Sequence, residues 1–221
     1  FTENKYPVRK YLRLHPETAH DPNSDTPYLQ FLSSIFAGWQ ERSIPVISTN
    51  GEVSFLSEDV VTTSTEQLVN LFVKPEGKEF VVGSVLLTTS GSTGAPKPVF
   101  LSGRNLYESF LTGERRLHLS SQDHWTLLLP PYHIGGLMVF VRALLSGSML
   151  SIAEPGMMTP VEAVKKYDPT HISVVSPFLQ QFVEKQIPSN PSHRCALAGG
   201  GKMDQQLIRS ASELGWKVWT S

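Results

Sequence analysis

An α/β fold built around a parallel sheet is predicted for this 221-residue chain by three observations. Short apolar runs at residues 125–129, 149–152, 171–175, 195–197 and 217–219 alternate with longer helix-like stretches. The runs begin 22–24 residues apart, the length of a compact strand–helix unit. Small, polar or glycine residues repeatedly follow the runs, as expected where the carboxyl ends of parallel strands face a ligand.

Residues 6–27 are rich in Pro, His, Asp and Asn and predict extended chain and turns. Residues 28–39 place Leu29, Leu32, Ile35, Phe36 and Trp39 at helical spacing. Residues 44–47 suit a short strand. Residues 57–72 suit a helix, with Ser57 as N-cap and Glu58 and Asp59 in the first turn. From Gly83 the texture changes. Val85, Leu86 and Leu87 open the strand series, and 134–145, 160–167, 177–185 and 204–214 supply helices between strands. The chain thus divides into an irregular part with a few helices, 1–82, and an α/β core, 83–221.

Composition narrows the function. Hydrophobic residues make up 40% and charged residues 18%, ordinary for a soluble globular protein. A net charge of −1 gives no electrostatic case for nucleic acid or an anionic membrane. No apolar run reaches transmembrane length, and the first residues do not form a signal peptide. They also lack an initiator Met, so the true N-terminus is expected elsewhere or processed. Cys195 is the single cysteine, which excludes an intrachain disulfide and fits a reducing cytoplasm. No HExxH metal spacing and no G-x-S-x-G elbow occurs.

The strongest chemical signal is residues 88–97, T-T-S-G-S-T-G-A-P-K. Gly91 and Gly94 let backbone N–H groups turn toward a ligand. Thr89, Ser90, Ser92 and Thr93 add hydroxyl donors, and Lys97 adds a mobile positive charge. The set suits a polyphosphate. It is not a Walker loop, because the Gly–Gly and Gly–Lys spacings differ and no helix follows. Pro96 and Pro98 flank Lys97, and the residue before a proline disfavours the α region. The loop is therefore expected to join two strands of a hairpin.

This segment closely resembles the phosphate-loop signature of the adenylate-forming superfamily, which includes acyl- and aryl-CoA synthetases. Leu129-Pro130-Pro131-Tyr132-His133-Ile134-Gly135-Gly136-Leu137 resembles that family's next motif, and Leu197-Ala198-Gly199-Gly200-Gly201 its glycine segment. Residues 217–221 resemble the strand before the family's Tyr-Gly-x-Thr-Glu motif, so the chain reads as a truncated large N-terminal domain without the small C-terminal domain. The resemblance covers residues 83–221. Its PPYHIGGL, ISVVSPFLQQF and LAGGG segments are most similar to the branch that joins o-succinylbenzoate to CoA in menaquinone biosynthesis. Pro98 departs from the family, most of which has Gly there.

The resemblance implies a ligase that couples a small aromatic or acyl carboxylic acid to CoA through an acyl-adenylate, with ATP and Mg²⁺. Thr89 to Gly94 and Lys97 are expected to hold the ATP phosphates. Lys97 and His133 are the expected catalytic residues, His133 beside the carboxylate. Gly199, Gly200, Gly201 and Ser221 are expected along the adenine and acyl group. No metal ligand falls within the chain, because the Mg²⁺-binding Glu belongs to the absent motif. The fragment alone is therefore expected to be inactive. Read from chemistry, His133 is also a candidate helix cap, since Gly135 and Gly136 open an apolar helix. Ser176 reads foremost as an N-cap with Pro177 at the first helical position, and otherwise as a substrate contact. Arg142 reads foremost as a solvated or core-edge residue, and otherwise as a partner of a substrate carboxylate. Homo-oligomer formation is left open. The rival readings are a ligase for another acid and a nucleotide-binding relative without catalysis.

Overall fold

A computed structural model describes residues 13–14, 27–40, 44–48, 53–56, 83–89, 97–154 and 156–220. The strands are β1 (Arg13–Leu14), β2 (Ile44–Ile47), β3 (Val53–Leu56), β4 (Val85–Thr89), β5 (Lys97–Leu101), β6 (His124–Leu127), β7 (Met149–Ile152), β8 (His171–Val174), β9 (Cys195–Ala198) and β10 (Val218–Thr220). The helices are α1 (Pro27–Gln40), α2 (Gly103–Leu117), α3 (Ile134–Ser146), α4 (Pro160–Tyr167), α5 (Ser176–Glu184) and α6 (Gln205–Glu213).

Six strands form a sheet in the order β1-β7-β6-β8-β9-β10, and each pair in it is parallel. From β6 on, each strand reaches the next through one helix, as the repeating runs predict. The crossover from β6 through α3 leads to β7 on one side of β6, whereas β8 lies on the other side and its crossover through α5 leads on to β9. Right-handed crossovers in opposite directions put α3 on one face of the sheet and α4 to α6 on the other.

The packing follows this division. Strand residues alternate between faces. Trp125, Leu127, Leu150 and Ile152 join α1, α2 and α3 in one apolar cluster. Ile172, Val174, Ala196 and Ala198 join α4, α5 and α6 in the other. α3 is apolar on nearly every side, with Leu137, Met138, Val139, Phe140, Val141 and Ala143 all buried, because the sheet covers one flank and α1 and α2 the other. Residues 135–145 are therefore core apart from Leu145, which is 45% exposed.

Two features depart from the sequence reading. β4 does not belong to the βαβ series. It lies in a second, mixed sheet of order β3-β2-β4-β5, parallel to β2 and antiparallel to β5. β2 also pairs antiparallel with β3, so β2 and β3 share a sheet with β4 and β5. The second departure is α2, which the series of apolar runs does not announce. Ser102 starts it with a capping box: the Asn105 N–H donates to Ser102 Oγ at 3.1 Å, and the Ser102 N–H donates to Asn105 Oδ1 at 3.0 Å. Such a cap is worth about 1 kcal/mol. The helix expected at 57–72 lies outside the described residues, and of the extended chain and turns expected over 6–27 only β1 and Pro27, which already begins α1, are described.

Candidate functional site

In an open α/β sheet, ligands bind where adjacent strands send their crossovers in opposite directions, outside the carboxyl ends. Here that point lies between β6 and β8. A cavity of about 570 Å³ opens there, bounded by Leu129, Pro130 and His133 after β6, Gly136, Met138 and Arg142 of α3, Ser173 and Val174 of β8 with Val175 just beyond, Phe178 of α5, and Leu197 of β9 with Gly199 and Gly200 after it. Its volume is in the range of small-ligand sites.

His133 is the N-cap residue of α3, yet its side chain makes no capping hydrogen bond. The helix-capping alternative therefore fails. The ring is exposed and lies 4.9 Å from the Tyr132 ring at an interplanar angle of 61°. Tyr132 is in turn held edge-on by Tyr28 and Phe31 of α1, at 6.3 and 6.2 Å. The first turn of α3 carries no acidic side chain. Its free N–H groups and the positive end of the helix dipole thus favour an anion beside His133.

The glycines divide by geometry. A Cβ on Gly136 would stand 2.2 Å from the Pro130 oxygen and 2.6 Å from the Leu129 oxygen. Only glycine lets α3 start so close to the exit of β6. Gly200 has φ +82°, a conformation that disfavours other side chains. A Cβ on Gly201 would meet nothing, and Gly201 is not part of the cavity wall. Of the expected adenine and acyl residues, the structure brings Gly199 and Gly200 into the cavity with His133. Ser221 lies outside the described residues.

The hairpin is as expected. Thr89 and Lys97 face each other at the open end of the β4–β5 ladder and close the loop 90–96. The stem is tied down, since Thr88 Oγ1 donates to the Ile47 oxygen at 3.0 Å and Trp39 Nε1 to the Ser84 oxygen at 2.9 Å. Lys97 is exposed. Ser90, Gly91, Ser92, Thr93 and Gly94 lie outside the described residues.

Ser176 corrects an expectation. Val175 is the N-cap of α5, Ser176 is already helical, and Pro177 is second in the helix. The Ser176 hydroxyl donates to Met203 Sδ at 3.2 Å, and Ser176 does not line the cavity. Ser173, three residues earlier on β8, does line it. It is 5% exposed, and its Oγ has no hydrogen-bond partner among the described residues. Arg142 is the other unsatisfied group in the wall, with a buried Nε that also lacks a partner. Its guanidinium carbon lies 5.7 Å over the Trp125 ring, and burial draws its pKa below the usual range. A guanidinium stays charged, and one with a buried Nε suits an anion. Strand parity is the signal that finds Ser173, since alternate β8 residues face α3.

Cys195 is buried, and burial pushes its thiol up to about 12, so it is an inert packing residue. Among the described residues, no group of three or more His, Cys, Asp or Glu side chains stands together as metal ligands. No helix among the described residues is long and apolar enough to cross a membrane.

This geometry defines an open-sheet α/β protein with a cavity at its switch point. The chain belongs to the AMP-binding enzyme family, which it matches over residues 54–219. It is 30% identical over 139 residues to 2-succinylbenzoate–CoA ligase of Bacillus subtilis (strain 168), a match covering 62% of this chain and 29% of that protein. With the same ligase of Bacillus cereus (strain Q1) it shares 28% identity over 193 residues, covering 82% and 39%. The matched part of the chain thus spans 29% to 39% of the length of these relatives. Among solved structures, the o-succinylbenzoate CoA synthetase (MenE) of Bacillus subtilis in complex with the acyl-adenylate intermediate OSB-AMP aligns with a TM-score of 0.55 at 29% identity, covering 61% of this chain and 28% of that one. The same synthetase has been solved with ATP and magnesium ion. An acyl-CoA synthetase-like protein of Dyadobacter fermentans, 20% identical, aligns over 91% of this chain and 47% of its own with a TM-score of 0.60, which supports the fold.

Proposed function

We propose that the protein joins a carboxylic acid to CoA through an acyl-adenylate, and that the acid is o-succinylbenzoate. A carboxylate oxygen attacks the α-phosphorus of ATP, the bond to the β-phosphate bridge breaks, and pyrophosphate leaves. The thiolate of CoA then attacks the acyl carbon and expels AMP, leaving the thioester.

Both steps depend on positioning and charge stabilisation. The anionic acid and α-phosphate meet at the start of α3, where the helix terminus and the His133 ring donate toward charge. Gly136 lets that terminus approach. The loop closed by Thr89 and Lys97 grips the phosphates, with Lys97 neutralising charge on the leaving pyrophosphate. When bound, magnesium supplies further neutralisation of the phosphates.

One observation carries the choice of acid. The cavity wall is mainly apolar, but two buried polar groups within it, Arg142 Nε and Ser173 Oγ, lack partners among the described residues. A buried unsatisfied group is costly, so a matching ligand group is expected. o-Succinylbenzoate offers an aromatic ring for the apolar wall and, beyond the reacting carboxylate, a second carboxylate for Arg142 and Ser173. A simple fatty or benzoic acid offers none.

The test is acid-dependent ATP–pyrophosphate exchange by the full-length protein over a panel of aryl and acyl acids. Exchange with o-succinylbenzoate, lost in Arg142→Gln, is expected. Exchange with a different acid alone would keep adenylation and reject the substrate. No exchange in a folded protein that binds ATP would point to a binding relative without catalysis.

A further inference from the structure

We propose that Tyr132 is a positioning residue for His133, and that α1, far earlier in the chain, sets the direction of the imidazole by holding Tyr132. This rests on reading His133 as the donor beside the carboxylate and the α-phosphate. The His133 backbone is fixed on both sides. Its N–H donates to the Pro130 oxygen at 3.1 Å, and its oxygen accepts from the Leu137 N–H at 2.9 Å, the first bond of α3. The side chain is not fixed by this, since the ring is exposed and makes no capping bond. A donor on an exposed side chain must be ordered before it can act, at a cost in rotamer entropy.

Tyr132 supplies that order. Its ring meets the imidazole edge-on at 4.9 Å, a contact that fixes a direction as well as a distance. Tyr132 is itself locked. It packs half-buried against the apolar cluster, and two rings of α1 stand nearly perpendicular to it, Tyr28 at 81° and Phe31 at 73°. Tyr28 and Phe31 are 5% and 7% exposed and lie three residues apart, on one face of the helix. The same end of α1 is anchored, because the Tyr28 N–H donates to the Glu154 carboxylate beyond β7.

A packed run thus leads from the end of β7 through α1 and Tyr132 to the imidazole. A reacting group needs its neighbours to hold it within about 0.5 Å of the productive geometry, and locked rotamers beside it do so. Tyr132 as simple core filling predicts something different. Its loss would then weaken the protein whether or not His133 is present, whereas a positioning residue acts only through the histidine.

The experiment is a double-mutant cycle on the full-length protein: wild type, Tyr132→Leu, His133→Ala and the two combined, assayed by ATP–pyrophosphate exchange with o-succinylbenzoate. Tyr132→Leu is expected to lower kcat by about 10-fold and to leave the KM for ATP nearly unchanged, the mark of an interaction used in the transition state. His133→Ala is expected to lose about 100-fold. The combined variant is expected to be no slower than His133→Ala. Losses that multiply, to about 1,000-fold, overturn the proposal, as does an unchanged rate in Tyr132→Leu. Tyr132→Phe keeps the ring and is expected to restore the rate, and a Phe variant as slow as the Leu variant also overturns it. If Tyr132→Leu does not fold, Phe31→Leu, which frees Tyr132 from α1, enters the same cycle. NMR of the histidine ring protons needs no turnover. The His133 signal, assigned by its loss in His133→Ala, is expected to be displaced by the Tyr132 ring and to move toward the free-histidine position in Tyr132→Leu. A signal that stays in place overturns the positioning. Failure of wild type to exchange with any acid defeats the adenylation reading, whereas the NMR comparison still decides whether Tyr132 holds the ring.

Discussion

The Glu154 carboxylate accepts the backbone N–H of Tyr28 with both oxygens, at 2.9 and 3.2 Å, across 126 residues of sequence. The link ties the end of β7 to the start of α1. A carboxylate also suits the positive end of a helix. Glu154 is 6% exposed, so its loss leaves a buried N–H unpaired. Glu154→Ala is expected to destabilise the protein by about 1–3 kcal/mol. Urea unfolding measures this, and an unchanged midpoint would rule the link out as a stabilising contact.

His133→Ala is expected to slow acid-dependent exchange by about 100-fold, the usual scale for a lost hydrogen-bond donor at developing charge. Stability is expected to change by less than about 0.5 kcal/mol, because the ring is exposed and caps nothing. A large stability loss with unchanged exchange would assign His133 a structural role instead.

Gly136→Ala is expected to disable the protein through backbone displacement. The new Cβ would meet the carbonyls of Leu129 and Pro130 at 2.6 and 2.2 Å, which only movement of α3 relieves. Strain of this kind costs about 1–3 kcal/mol. Gly201→Ala, with open space around its Cβ, is the matched control and is expected to be mild. Equal effects in thermal melting would refute the distinction.

Acid is expected to weaken the fold between about pH 6.5 and pH 4. His171 and His193 are 0% and 2% exposed, and burial holds both imidazoles down to about 4. Unfolded, each titrates near 6.5. Within that window the unfolded chain binds more protons, so stability is complete above it and falls as pH drops. Below about 4 the folded protein is protonated too, and the loss levels off. The pair contributes on the order of a few kcal/mol. Denaturant midpoints at about pH 7.5 and pH 5 test this, and His193→Phe is expected to flatten the difference. A flat profile in the unsubstituted protein would contradict the account.

Much of the central sheet was legible because its signals are local. Each apolar run from Trp125 on became a strand, and the prolines around Lys97 marked a hairpin. His133 and Gly199 could be assigned to strand exits, where both line the cavity, because they follow apolar runs. What escaped depends on distant partners. Nothing around Val85 says that it pairs with β2 in another sheet. α2 had a local signal in Ser102 and Asn105, but its polar surface weakens its apolar periodicity. Gly136 and Gly201 look alike in sequence and differ only in what a methyl group would strike. Arg142 and Ser173 acquire meaning only when strand parity and helix packing turn them toward one space.

The β4–β5 hairpin and the cavity stand on separate sheets, and Leu29, Ile47, Val85, Leu87 and Trp125 share the apolar cluster between them. On the proposed reading, one jaw of a caliper carries the phosphorus and the other the attacking oxygen. The oily joint sets the opening between the jaws. A methyl group trimmed from Leu29 or Ile47 then resets the reaction distance from afar, and an error near 1 Å costs about 100-fold in rate while each reactant still binds.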